Sequence, residues 1–270
     1  MISETLSLPS KKVTVAKTIL ITGSTSGIGL GIARAFAAAG YNIAFNGLEA
    51  NGAEIAQQVA DEFNVAHTFS PANLMQPAAI RDMVANAVKT FGTIDVLVNN
   101  AGIQHVAPID QFPEEKWDAI IAINLTAAFH VTKAAWATMK EHKFGRIINI
   151  ASAHGLAASE FKSAYVAAKH GLVGFTKTIG LEGAPYGITC NAICPGYVDT
   201  QLVESQIPQQ AKAHNMTEKE VVEKIFLQRH AVKEFVPVEL LAQTTLFLAS
   251  DQAGTITGIA LPVDAGWTAQ

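Results

Sequence analysis

Tyr165 and Lys169 stand four residues apart in Tyr165-Val166-Ala167-Ala168-Lys169, a spacing that puts a phenol and an ammonium on one face of a helix. A phenol with an ordinary pKa of about 10 is a poor base at neutral pH, and an adjacent cation favours its phenolate. Taken alone, the pair is also what a solvated helix surface carries. Ser152 lies thirteen residues earlier, at the end of a β-branched run, where a hydroxyl can hydrogen-bond a reacting oxygen. Strand ends are where doubly wound sheets bind ligands. Asn124 interrupts an otherwise apolar helical pattern, so its amide needs a buried partner or a local break in the backbone ladder. A purely structural buried Asn is the alternative.

A second cluster suits a phosphate. Thr22-Gly23-Ser24-Thr25-Ser26-Gly27-Ile28-Gly29 follows a strand-like run and precedes an Ala-rich helix. Glycines there let the backbone turn tightly against a pyrophosphate, while the free amides and positive end of the following helix favour the anion. The spacing is Gly-x3-Gly-x-Gly, and close helix–strand packing could also select it. At the end of the next strand-like run, Phe45-Asn46-Gly47-Leu48-Glu49 offers no Arg or Lys for a 2′-phosphate, which favours NAD over NADP. The Asp that usually takes the ribose hydroxyls is missing as well.

The elements that must position these groups alternate almost from end to end. Strand patterns cover 18–21, 41–46, 65–69, 94–99, 146–151, 188–193 and 259–263; helical patterns cover 27–39, 50–63, 76–91, 114–140, 163–184 and 237–249. This rhythm predicts an α/β fold, a doubly wound Rossmann-type parallel sheet of seven strands with helices on both faces. No repeat or linker divides it, so one domain is expected over 1–270. The rhythm breaks at 199–236, which is longer and more polar than a crossover needs and reads as a substrate lid. Within it, Thr217-Glu218-Lys219-Glu220 has capping-box spacing, followed by apolar Val221, Val222, Ile225 and Phe226.

Composition narrows the function classes. Of 270 residues, 49% are hydrophobic and 16% charged, as in a compact protein with much of its surface covered. A net charge of −4 offers no basic field for nucleic acid. The two cysteines, Cys190 and Cys194, share one short apolar segment, which fits a reducing cytoplasm and lacks the second ligand pair of a metal site. Residues Met1 to Lys17 lack an export signal's continuous apolar core. The Ala-rich stretch Ile120–Met139 is interrupted by Asn124, His130 and Lys133, costly in lipid, and is expected to be a buried helix with no membrane role.

In chain order, Thr22-Gly-x3-Gly-x-Gly, Asn99-Asn100-Ala101-Gly102, Ser152, Tyr165-x3-Lys169 and Pro195-Gly196 resemble the short-chain dehydrogenase/reductase family over essentially the whole chain. The resemblance implies a tetrad in which Tyr165 exchanges the proton and Ser152 polarises the substrate oxygen. Lys169 would bind the nicotinamide ribose and lower the tyrosine pKa, and Asn124 would hold a water in a proton relay. It further implies that Gly23, Thr25, Ser26, Gly27, Ile28 and Gly29 hold the cofactor, with Asn46, Asn73, Leu74 and Asn100, Ala101, Gly102 on the adenosine side. Pro195, Gly196, Val198 and Thr200 would flank the nicotinamide. Asn73 stands where relatives commonly have Asp.

Gln104, His154 and Lys162 fall at the same mouth of the predicted sheet, and several donors around one reacting oxygen suit a carboxylate. The pattern is similar to the bacterial branch of the family that interconverts 3-hydroxybutyrate and acetoacetate. That likeness implies a small hydroxy or keto acid substrate, NAD, and a homotetramer. Gln104, His154, Lys162 and Gln206 would clamp the carboxylate, beside Ser152 and Tyr165, and Trp267 and Tyr197 would wall the methyl end. Gln201, Gln209 and Gln210 compete with Gln206. A 3-oxoacyl thioester reductase, or a non-catalytic nucleotide-binding scaffold, are the rival readings.

Overall fold

The computed structural model describes residues 16–269 except 201, 202, 205, 206, 209, 210, 213 and 214. Seven strands form one sheet: β1 Thr18–Ile21, β2 Asn42–Asn46, β3 His67–Ser70, β4 Val96–Asn99, β5 Gly145–Ile150, β6 Ile188–Pro195 and β7 Ala260–Val263. Their spatial order is β3-β2-β1-β4-β5-β6-β7, and every pairing is parallel. The helices are α1 Gly27–Ala38, α2 Gly52–Phe63, α3 Pro77–Phe91, α4 Glu114–Ile121, α5 Ala127–His142, α6 Ser163–Gly183, α7 Glu218–Val221 and α8 Val238–Ala249. This is the predicted Rossmann-type sheet.

Period-two patterning explains the layers. Ile19, Ile21, Val96 and Val98 point into a core with Ile32 and Phe36 of α1 and Leu241 and Leu248 of α8. Leu20 and Leu97, one residue out of phase, point into the opposite core with Ile80 and Met83 of α3 and Val131 and Met139 of α5. The chain runs outward from β1 to β3 and then returns to β4 on the other side of β1. That reversal opens the crevice at the carboxyl ends of β1 and β4, and the glycine turn and Asn99-Asn100-Ala101-Gly102 both leave the sheet there.

Three differences from expectation have local causes. The third strand starts at His67, not Val65, because α2 ends on left-handed Asn64 and the Val65 amide still bonds the Ala60 carbonyl. The helix expected over 114–140 is interrupted by a π turn, Ala122–Thr126, centred on Asn124. The 29-residue run Glu114–His142 is apolar and long enough to cross a membrane by composition, and 39% of its 18-residue apolar window is buried. Ile120, Ala127, Val131, Ala135 and Met139 face the interior, whereas Phe129 is exposed.

In the 199–236 segment the capping box is present: the Thr217 hydroxyl accepts from the Glu220 amide, and the Glu220 carboxylate accepts from the Thr217 amide. α7 then runs into a π turn, Val222–Phe226. Its Val221 and Phe226 are buried together with Leu227, and Tyr197 and Phe235 pack against them.

Candidate active site

The glycine turn is held from two sides. Gly23 and Gly27 take positive φ of 60° and 50°, and a Cβ on Gly29 would overlap the Gly23 carbonyl, so the turn and helix meet only if both are glycine. The Asn100 side-chain amide donates to the carbonyls of Thr22 at 3.0 Å and Gly23 at 2.8 Å, and the Thr22 hydroxyl accepts the amides of Asn100 and Ala101. Ser26 begins α1 without a side-chain cap, which leaves the helix amides unclaimed by a side chain. Such a cradle fits the pyrophosphate of a dinucleotide. Thr200, just past β6, closes over it: a Cβ on Gly27 would lie 3.8 Å from the Thr200 methyl.

Several residues expected to touch the adenosine also hold the fold together. Asn46 is buried; it accepts the Gly23 amide at 3.2 Å and donates to Ser70 and Ala72 carbonyls, so its amide is consumed beneath the turn. Asn73 accepts the Met75 amide in its own turn, and the Leu74 side chain packs in the core with Ile80. Ile28 packs against the core on the α1 side. The side chain that sequence reasoning passed over is Glu49. Its carboxylate accepts from the hydroxyls of Thr25 and, at 3.0 Å, Ser26. Burial pushes its pKa up, but those hydroxyls and the backbone amides of Glu49 and Leu48 win and hold it below the usual 4.5, so it is ionised at neutral pH.

At the ends of β5 and β6 the catalytic candidates converge. Ser152 leaves β5 in extended backbone, and its hydroxyl accepts the His154 amide at 3.1 Å. From α6, Tyr165 comes within the influence of the Ser152 hydroxyl, and its ring lies edge-on to His154 at 5.9 Å. Lys169, buried one turn later, donates to the Ile150 carbonyl at 2.7 Å with its nitrogen 5.6 Å from the Tyr165 ring centre. The helical spacing therefore does bring the pair together.

The expected lowering of the tyrosine pKa is reversed here. Burial raises Tyr165 above its ordinary 10, the Ser152 hydroxyl opposes this, and Tyr197 adds to the rise. The physical reason is desolvation, which acts on both members: burial also brings Lys169 down to about 8. Asn124 is brought to the neighbouring loop, where Ile103 takes both ends of its amide: Oδ1 accepts the Ile103 amide at 2.8 Å and Nδ2 donates to its carbonyl at 2.9 Å. Of the two alternatives anticipated for this amide, a partner and a local break in the backbone ladder, both occur, the break taking the form of a π turn.

Around Tyr165 lie His154, Lys162, Tyr197 and Trp267. The Lys162 ammonium donates to the Tyr197 hydroxyl at 3.4 Å, and Trp267 packs on His154 at 5.0 Å between ring centres. His154 Nε2 is 3.0 Å from the Ser159 hydroxyl. Burial, with the charges of Lys162, Arg229 and His170, drops the His154 pKa to about 4, so this imidazole is neutral across physiological pH. Gln104 is exposed on a loop that the Ala107–Phe161 backbone bond of 3.0 Å ties to the Lys162 side. Gln206, like Gln201, Gln209 and Gln210, lies outside the described residues. Beyond β6, the Gly196 amide bonds Val263 and Val198 bridges Val236, which fixes the Pro195–Val198 turn beside Thr200. Cys190 and Cys194 are free, buried thiols raised by burial to about 12 and about 11, and so inert. Among the described residues no cluster of three His, Cys, Asp or Glu side chains is placed to hold a metal.

A dinucleotide turn and a Ser-Tyr-Lys set on one parallel sheet define a nicotinamide-dependent oxidoreductase of short-chain type. The model described as short chain dehydrogenase matches residues 17–211, and the chain belongs to that family. It is 51% identical over 258 residues to the D-beta-hydroxybutyrate dehydrogenase of Rhizobium meliloti (strain 1021), covering 95% of this chain and 100% of that one. To the D-beta-hydroxybutyrate dehydrogenase of Cupriavidus necator it is 50% identical over 257 residues, covering 94% and 98%. Among solved structures, an actinorhodin polyketide ketoreductase crystallised with NADPH superposes with a TM-score of 0.88 at 33% identity, covering 94% of this chain and 98% of that one.

Proposed function

We propose that this oxidoreductase uses NAD to interconvert (R)-3-hydroxybutyrate and acetoacetate, with Tyr165 as acid/base. One observation carries the reading: a neutral imidazole and a lysine ammonium flank half-buried Tyr165 and buried Ser152. Relatives that share half of the sequence and bear that activity's name support it. Lys162, with Gln104 and His154, holds the carboxylate, and a lid glutamine, Gln206 by choice, completes the clamp. Tyr197 and Trp267 wall the short acyl end. Ser152 donates to the substrate oxygen while Tyr165 takes or returns its proton. Lys169 holds positive charge beneath the phenol. When bound, the nicotinamide supplies the hydride chemistry. The 199–236 segment acts as a lid on one domain spanning 1–270, excluding water as it closes.

Lys162→Ala tests the clamp. Loss of a charge-assisted hydrogen bond is expected to raise the KM for 3-hydroxybutyrate about tenfold or more, with kcat little changed. An unchanged KM removes Lys162 from the site. Comparison of acetoacetate with an acetoacetyl thioester decides between this reading and a thioester reductase, which would prefer the second.

NAD is favoured by Glu49, whose ionised carboxylate braces the glycine turn at the exit of β2 and repels a 2′-phosphate. Glu49→Gln is expected to narrow the NAD:NADP ratio of kcat/KM by about tenfold, equivalent to ~1.4 kcal/mol of lost repulsion. A ratio that stays fixed shows that Glu49 does not discriminate. The reading includes a homotetramer, for which exposed Phe129, Leu240 and Phe247 offer apolar surface, and a cytoplasmic setting, in keeping with two unpaired thiols.

A further inference from the structure

Arg229 and His230 are adjacent residues at the return of the 199–236 segment, and neither belongs to the carboxylate clamp or the proton-transfer set. His230 is fully buried. Its Nδ1 lies 2.8 Å from the Glu234 carbonyl, an oxygen that only accepts, so Nδ1 carries the proton and Nε2 keeps a lone pair. That lone pair accepts the backbone N–H of Tyr197 at 3.2 Å. A Cβ on Gly196 would come within 2.9 Å of Nε2, so the turn passes the imidazole with no slack. The Tyr197 ring lies 6.0 Å from His230 and edge-on to Phe226 at 5.1 Å, with its hydroxyl at Lys162. One wall of the pocket is thus tied to an imidazole in one tautomer, with the Val236 amide holding the Tyr197 carbonyl at 2.8 Å on the other side.

Arg229 serves the other wall. Its guanidinium carbon sits 4.1 Å from the centre of the Trp267 ring, the same ring that packs on His154. The next two residues dock the segment on the loop that carries Trp267: the amides of Ala231 and Val232 donate to the Ala265 carbonyl at 2.8 and 3.0 Å. That loop is itself knotted by Asp264, which accepts the amides of Gly266 and Thr268 and the Thr268 hydroxyl at 2.6 Å.

We infer that Arg229 and His230 are positioning residues that fix the aromatic walls Trp267 and Tyr197 and so set how long an acyl tail the site accepts. The inference rests on the proposed role of those walls. An aromatic ring clamped from behind refuses an added methylene; a ring free to tilt makes room, and one methylene in a pocket is worth about tenfold or more in selectivity.

The experiment compares kcat/KM for the four-carbon and five-carbon 3-hydroxy acids in wild type, Arg229→Ala, His230→Leu and His230→Gln. The four-carbon preference is expected to fall about tenfold in the first two variants. In His230→Gln, whose amide oxygen can again accept the Tyr197 N–H, it should recover toward wild type, and the KM for NAD should hold throughout. Equal losses on both acids, leaving the ratio fixed, overturn the inference, because a merely structural role predicts them. A substrate-independent readout is acrylamide quenching of Trp267 in a background with Trp117→Phe and Trp136→Phe. Trp267 is 3% exposed, and quenching should rise in Arg229→Ala. Unchanged quenching sinks the positioning claim whatever the substrate is. A wild type that oxidises neither acid, with quenching that still rises, sinks the substrate reading alone.

Discussion

Replacing Tyr165 by Phe is expected to lower kcat by about a thousandfold while the dissociation constant for NAD stays almost unchanged. The ring remains: its edge contact with His154 and its packing beside Ala164, Ala168 and Ile120 do not need the hydroxyl. Only the proton carrier is lost, together with its interaction with the Ser152 hydroxyl. Because Ser152 and Tyr165 act on one oxygen, Ser152→Ala should add little to the damage already done in Tyr165→Phe. Stopped-flow hydride transfer and nucleotide titration separate the two quantities. Turnover within tenfold of wild type would remove Tyr165 from the chemistry and leave the family's fold without this chemistry.

The sheet was legible because its central strands β1, β4, β5 and β6 are short runs buried on both faces, and the helices because their patterns are long and cleanly bounded. Local spacing was also enough for Tyr165 with Lys169, and for the capping box at Thr217 and Glu220. What escaped was non-local. Asn46 was expected on the adenosine side by its place at the end of β2, and its side-chain amide is also taken up by Ser70, Ala72 and Gly23, far away in sequence. Glu49 was legible only as the absence of a base; its grip on Thr25 and Ser26 requires the β2 exit to lie against the glycine turn. The π turn at Asn124 has the same composition as a continuous helix, so periodicity could signal trouble there but not its form. His230 carries no motif, since its role arises from a Tyr197 amide and a Glu234 carbonyl on either side of it. The sign of the Tyr165 shift was the one electrostatic reading that spacing misjudged, because proximity is visible in a sequence and desolvation is not.

Desolvation gives Lys169 the second large effect: Lys169→Met should make the protein more stable and nearly inactive. Bringing an ammonium from its ordinary 10.5 to about 8 means the folded state carries that charge at a cost of ~3 kcal/mol at neutral pH. Loss of the charge-assisted hydrogen bond to the Ile150 carbonyl offsets about 2 kcal/mol, leaving a net gain of ~1 kcal/mol for the variant. The sign follows from proton counts. Between pH 8 and 10.5 the unfolded wild type still binds the Lys169 proton while the folded protein has released it, so wild-type stability rises with pH across that window and the variant's advantage closes. Activity moves the other way. Without the cation the phenol of Tyr165, already raised by burial, becomes a worse base, so oxidation should fall about a hundredfold and its pH profile shift to the alkaline side. Denaturant melts at pH 7 and pH 10, set beside pH–rate profiles in the oxidising direction, read both effects. A variant that is less stable at pH 7, or that keeps the wild-type pH profile, would mean that Lys169 is a structural tie to β5 and not the charge beneath the phenol.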